Sequence, residues 1–191
     1  FRRSRGLGDV YKRQAALDAA VTGTNNTAIG NVSATTLTSG HSNTAVGSQS
    51  LQLATTGDFN VAVGKDALRY FVAGNNTAVG ADALQGANGS STGGNNTAVG
   101  RNALAANTTA ANNTAVGYGA LLVNTTGTAN VAVGADALDA NNASYCTAVG
   151  RSALSANTTG TMNNAVGSNA MDANTTGAYN NAMGVNALGS N

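Results

Sequence analysis

The sequence predicts an all-β chain folded as a parallel β-solenoid of about ten 17-residue rungs, with two short strands in each rung. Three observations lead there. The phrase Asn-Thr-Ala-Val-Gly, or a close variant, recurs with its glycine at Gly30, Gly47, Gly64, Gly80, Gly100, Gly117, Gly134, Gly150, Gly167 and Gly184, so that the steps are 17 residues with two of 16 and one of 20. A fixed period of this size is the signature of a stacked repeat. Each place in the unit also keeps its chemistry: Ala stands two before the Gly in all ten copies, Val directly before it in eight, and Leu or Met four after it in nine. Ile29 and Met183 replace the Val, and Ala34 replaces the Leu. Finally, no stretch has the apolar spacing of an amphipathic helix, and Gly, Asn and Thr recur too often to leave room for one.

Taken in order, a unit opens on Asn (Asn26, Asn43, Asn60 and their equivalents, with Cys146 as the one replacement). Stacked Asn side chains hydrogen-bond from rung to rung, so this column reads as a structural ladder. Thr-Ala-Val follows as a strand of about four or five residues. The Gly suits a tight bend that needs positive φ or close backbone approach. Ala-Leu begins the second strand, and Thr-Thr-Gly closes a wider loop in which Thr favours extended backbone.

One unit buries a Val, a Leu and some Ala, worth about 1.5–3 kcal/mol per large side chain. Ordering costs about 1–2 kcal/mol for every residue, so a lone unit does not fold. Stacking rungs about 4.8 Å apart merges the small cores into one column and gives a rod about 50 Å long. Side chains alternate across a strand. The larger Val and Leu columns are assigned to the interior, which leaves Ala columns outside as a flat apolar surface for a second copy of the chain. The alternative is the reverse, with Ala inside and Val toward the partner.

Charged residues make up 9% of the chain. Five of the nine basic residues (Arg2, Arg3, Arg5, Lys12, Arg13) fall within residues 1–14, and the remainder carries four basic and seven acidic groups. Nothing cationic is left to follow phosphates or an anionic bilayer, so neither nucleic acid nor membrane is an expected partner. Residues 1–14 match nothing in the repeat and resemble translated adapter sequence, so they are read as a non-native segment. The array is assigned to residues 15–191, as a fragment truncated at both ends. No apolar run is long enough to span a membrane.

Chemistry-bearing residues are sparse. His41, the one His, lies in an early loop beside Ser42, and no Ser-His-acid set assembles around it. One His and one Cys make no zinc site. Asp66, Asp82 and Asp136 share the place two after the Gly, but without the calcium-binding nonapeptide pattern. The glycines recur because the bend recurs, and no phosphate-loop phrase is present. Asn-x-Thr triplets such as Asn107-Thr108-Thr109 follow from composition. The chain is therefore read as non-enzymatic and without a cofactor.

Two features point to a ligand. Phe59, Tyr145 and Tyr179 stand five before the Gly, where exposed rings can stack on sugars or anchor a protein, or pack locally. Arg69, Tyr70 and Phe71 interrupt the Thr-Thr-Gly loop, next to a lengthened segment from Gln85 to Gly94, and departures of that kind are where a repeat adds specificity.

Asn113 to Gly127 and Asn163 to Gly177 resemble the head repeats of YadA-like trimeric autotransporter adhesins, and related repeats of bacterial surface and phage tail-fibre proteins. That resemblance implies a left-handed parallel β-roll assembled as a homotrimer on a cell or virion surface, extracellular, binding a host matrix protein, receptor or glycan. The units here prefer Thr-Ala-Val-Gly and a longer period than the Ser-Val-Ala-Ile-Gly units of that family, so collagen binding does not transfer. The function expected is thus an adhesive or receptor-binding fibre segment. A passive spacer, and an ice-binding solenoid using Thr55-Thr56, Thr108-Thr109, Thr125-Thr126, Thr158-Thr159 and Thr175-Thr176, are the alternatives.

Overall fold

The computed structural model describes residues 16–19, 21–87 and 91–189; the segment read as adapter-derived lies outside the described residues. The repeated phrase forms ten strands: β1 (Thr27–Ile29), β2 (Thr44–Val46), β3 (Val61–Val63), β4 (Thr77–Val79), β5 (Thr97–Val99), β6 (Thr114–Val116), β7 (Val131–Val133), β8 (Thr147–Val149), β9 (Asn164–Val166) and β10 (Asn181–Met183). They make one parallel sheet in chain order, and no helix occurs among the described residues. The register is that of the phrase: Thr27 pairs with Thr44, Ala28 with Ala45 and Ile29 with Val46. Across the longest step Ala78 still pairs with Ala98. A slip of one residue would turn the buried column outward, so the loops absorb every difference in length. The chain is a β-solenoid, and each coil takes the number of its strand.

The strands face the opposite way from the first sequence expectation. Ala45, Ala62, Ala78, Ala98, Ala115, Ala132, Ala148 and Ala165 are fully buried, whereas Val79, Val99, Val116, Val133, Val149 and Val166 point outward and stay 36–38% exposed. The reason is the thinness of the roll. The opposite wall sends both its Ala and its Leu inward, with Ala67 and Leu68, Ala103 and Leu104, and Ala120 and Leu121 all fully buried. Those Leu side chains fill the width of a close-packed interior, and only a methyl group fits across from them.

That opposite wall is also not the second strand expected from the sequence. The residue two after the Gly and the Leu four after it both adopt left-handed backbone, with φ of 57° at Asp66, 52° at Leu68, 60° at Asn102 and 53° at Leu104. In a strand, neighbours face opposite ways; the left-handed residues curl the chain so that Ala and Leu, adjacent in sequence, share the core. Coil-to-coil pairing continues without strand geometry. The Leu51 N–H donates to the Ala67 carbonyl at 2.9 Å, and Leu104 to Ala120 at 2.9 Å. Left-handed backbone costs a Leu about 1–2 kcal/mol, and burying its side chain offsets this by about 1.5–3 kcal/mol.

The glycine of the phrase has φ between 125° and 138° in all ten coils. A Cβ on Gly117 would strike the carbonyl of Gly134 in the next coil, so both the backbone angle and the close approach require glycine.

The Asn column closes one edge of the core. Asn113 Oδ1 accepts from the Asn130 N–H at 2.9 Å, while its Nδ2 donates to the Gly127 carbonyl at 2.9 Å. The same pair of contacts recurs at Asn43, where Asn60 N–H donates to Oδ1 at 2.9 Å and Nδ2 donates to Gly57 at 2.8 Å. The ladder expected from the sequence is present, but it runs from side chain to backbone more than from amide to amide. It satisfies buried main-chain groups that a three-residue strand leaves unpaired.

Candidate functional site

Two outward surfaces and one corner carry the residues of interest. The first surface is the outer face of the sheet. One column reads Thr27, Thr44, Val61, Thr77, Thr97, Thr114, Val131, Thr147, Asn164, Asn181, and beside it runs Ile29, eight Val and Met183. Neither column holds a charged residue. The in-register sheet sets successive Thr and Val about 4.8 Å apart, so the face is regular and apolar, with its hydroxyls in one line.

The second surface is the column five before the Gly. All ten of its residues have left-handed backbone, including Phe59 at φ 56°, Tyr145 at 63° and Tyr179 at 62°. Bulky residues rarely adopt this region, and here it throws their rings out into solvent: Phe59 is 61% exposed, Tyr145 58% and Tyr179 72%. The three do not form a single group. Phe59 stands alone in coil 3, while Tyr145 and Tyr179 flank Met162, itself exposed, in coils 8 to 10. Met162 carries no ring and is legible in the sequence only by its column, five before Gly167.

At the corner, Arg69 is held by contacts to three neighbouring side chains while part of its own stays exposed. Its Nε donates to Gln52 Oε1 at 2.9 Å, its Nη1 meets Asp66 Oδ1 at 3.2 Å, and its guanidinium lies 4.9 Å from the centre of the Tyr70 ring. Tyr70 is half-buried beneath it. Phe71 is fully buried, which overturns its reading as a ligand contact. It occupies the inward column seven after the Gly, where later coils carry Asn107, Asn124, Asn141, Asn157 and Asn174. Room for a ring there comes from the next coil: Gly86, at φ 82°, would place a Cβ 2.9 Å from the Phe71 ring. Ser91, bridged to Phe71, is also small. The departures at Phe71, Gly86 and Ser91 are thus one packing adjustment.

The remaining chemistry-bearing residues are held in structural contacts. The His41 Nδ1 accepts from the Thr24 N–H at 3.0 Å, and the His41 N–H donates to Asp58 Oδ1 at 2.7 Å. Asp66 is buried against Lys65 and Arg69. Cys146 is fully buried, and burial pushes its thiol pKa up. Its Sγ donates to the Gly160 carbonyl at 3.2 Å, in the place where an Asn amide would. Among the described residues no group of His, Cys, Asp or Glu is arranged to hold a metal ion. The loop threonines form a ladder of their own, as where Thr158 Oγ1 donates to the Thr175 carbonyl at 3.0 Å. An open apolar depression lies between Gly86, Ala106 and Val123 beside the lengthened loop.

The fold and its surfaces define a class, the parallel β-solenoid repeat proteins. No family model matches the chain, and no curated protein or solved structure matches it either.

Proposed function

We propose that this chain is the shaft of an extracellular surface fibre, on a bacterial cell or a virion, that acts by adhesion or receptor binding and self-associates as a homotrimer through the outer face of its sheet. The observation that carries this reading is the uncharged face over β2 to β8, in which five coils present an outward Thr and Val and the other two, β3 and β7, an outward pair of Val. Extended apolar patches of that kind mark association surfaces. A column of identical residues meets its counterpart equally well along its whole length, which suits closed rotational symmetry. The resemblance of the phrase to trimeric adhesin heads supports the same assembly, and a repetitive fibre binds ligands by many weak contacts at once.

Sedimentation of the full chain, alongside a Val116→Lys variant, tests the assembly. Val116 is outward, so the variant keeps the roll; the trimer is expected for the parent chain and the monomer for the variant. A parent chain that sediments as a folded monomer at tens of micromolar overturns the assembly. Retention on arrays of matrix proteins and glycans tests adhesion, and a trimer that binds none of them is a spacer.

The aligned hydroxyls of Thr77, Thr97 and Thr114 favour one further reading, ice binding. They move the flat threonine array from the Thr-Thr-Gly loops to the sheet. A folded monomer that produced thermal hysteresis would carry that reading in place of the trimer.

A further inference from the structure

Coils 8 to 10 differ from the middle of the array in one column, and coils 9 and 10 also in the column beside it. The column five before the Gly, which carries Asn75, Asn95 and Asn112 in the middle of the chain, becomes Tyr145, Met162 and Tyr179. The column three before the Gly, elsewhere Thr or Val, becomes Asn164 and Asn181 in the last two coils. Tyr145, Met162, Tyr179, Asn164 and Asn181 are all exposed. We propose that this strip binds an extended, uncharged β-1,4-linked pyranose polymer lying along the axis of the roll. The proposal rests on the adhesive reading above and names the ligand class for it.

Geometry supports the match. Tyr145 and Tyr179 have nearly the same backbone angle, φ 63° and 62°, in the same place of two coils that differ by two steps of the stack. Their side chains therefore leave equivalent backbone positions about 9.6 Å apart. An extended β-1,4-linked chain advances by about one stacking step per sugar and turns each sugar over relative to the last. Every second ring thus shows the same face, and the two tyrosines meet equivalent sugars. Met162, between them at φ 58°, supplies a lower apolar contact under the intervening sugar.

Polar groups and charge fit the same ligand. Asn164 Nδ2 donates to Asn181 Oδ1 at 2.9 Å, which fixes both amides and leaves the Asn164 oxygen and the Asn181 amide hydrogens directed to solvent, an acceptor and a donor for sugar hydroxyls. From Ser144 to Thr147, Thr161 to Asn164 and Ala178 to Asn181 there is no charged residue. A neutral strip of rings and amides suits an uncharged polymer and offers nothing to an anionic one.

Retention of the full chain on cellulose and on chitin, with amylose as the α-linked control, tests this. Tyr145→Asn and Tyr179→Asn remove each ring while installing the residue that the same column carries at Asn112, which tolerates left-handed backbone. The expected result is retention on cellulose or chitin but not amylose, weakened about tenfold by each substitution and unchanged by Phe59→Asn, whose ring stands alone. Absence of retention on both polymers overturns the proposal, as does equal weakening by Phe59→Asn. Tyrosine variants that bind fully, or that alter sedimentation alone, overturn it too. A chain that adheres to a matrix protein but to neither polymer sinks this inference and leaves the adhesive reading standing.

Discussion

Replacing Asn113 with Ala removes the centre of the buried Asn ladder. The side chain is 1% exposed, its Oδ1 accepts from the Asn130 N–H at 2.9 Å, and its Nδ2 donates to the Gly127 carbonyl at 2.9 Å. Alanine supplies neither group, and both partners remain buried. The Gly127 carbonyl keeps the Asn124 Nδ2 donor at 2.9 Å, but the Asn130 N–H is orphaned, which costs about 1–3 kcal/mol. That is a large share of the total stability of a domain, about 5–15 kcal/mol. Coils contact only their neighbours, so a defect at coil 6 also weakens the coupling between the two halves of the array, and unfolding broadens or splits. Urea titration followed by far-ultraviolet circular dichroism measures the loss. Thr114→Ala is the matched control, since Thr114 is the adjacent residue, faces outward and lies within about 1 kcal/mol of neutral. If Asn113→Ala lost no more than Thr114→Ala, the ladder would not hold the coils together.

Cys146→Asn makes the complementary change. Asn163 N–H faces the Cys146 sulfur where other coils offer an amide oxygen, so restoring Asn should raise stability by about 1 kcal/mol in the same urea titration. In the parent chain the buried thiol should resist a water-soluble thiol reagent until the protein unfolds. Asp139 gives a pH signature: burial, followed by the neighbouring Asp136, raises its pKa above the ordinary carboxylate value. A raised folded-state pKa means that its contribution is fully present below the unfolded pKa and is lost as pH rises through the folded pKa. Asp139→Asn should therefore be more stable than the parent at neutral pH, with the difference vanishing in acid.

Much of the fold was legible because its determinants are periodic. The spacing of the glycines gives the coil, and the identity of each column gives the register, down to the pairing of Ala78 with Ala98 across the longest step. Which side chain faces inward was not legible from size alone, because it depends on how much room the opposite wall leaves. That wall could not be read as a strand or a curl from local preference, since Leu68 and Leu104 occupy backbone that leucine normally avoids. Only the burial gained in the assembled stack accounts for them. The same limit applies at the surface. Phe71 stands in the interruption of the Thr-Thr-Gly loop, yet its place in the inward column seven after the Gly puts it in the core, whereas the large side chains five before the Gly, Phe59, Tyr145, Met162 and Tyr179, are exposed. A column-by-column comparison would have added Met162 and set Phe71 aside.

The central claim is that successive coils lie in register with Thr outward and Ala inward. In a Cys146→Ser background, the pair Thr97→Cys and Thr114→Cys places two thiols on directly paired, outward positions of β5 and β6, a separation of about 4.8 Å between backbones that a disulfide spans. The account predicts rapid intramolecular oxidation of this pair with the fold retained, and none for Thr97→Cys with Ala115→Cys, whose side chains point to opposite faces. Cross-linking of the second pair in preference to the first would contradict it.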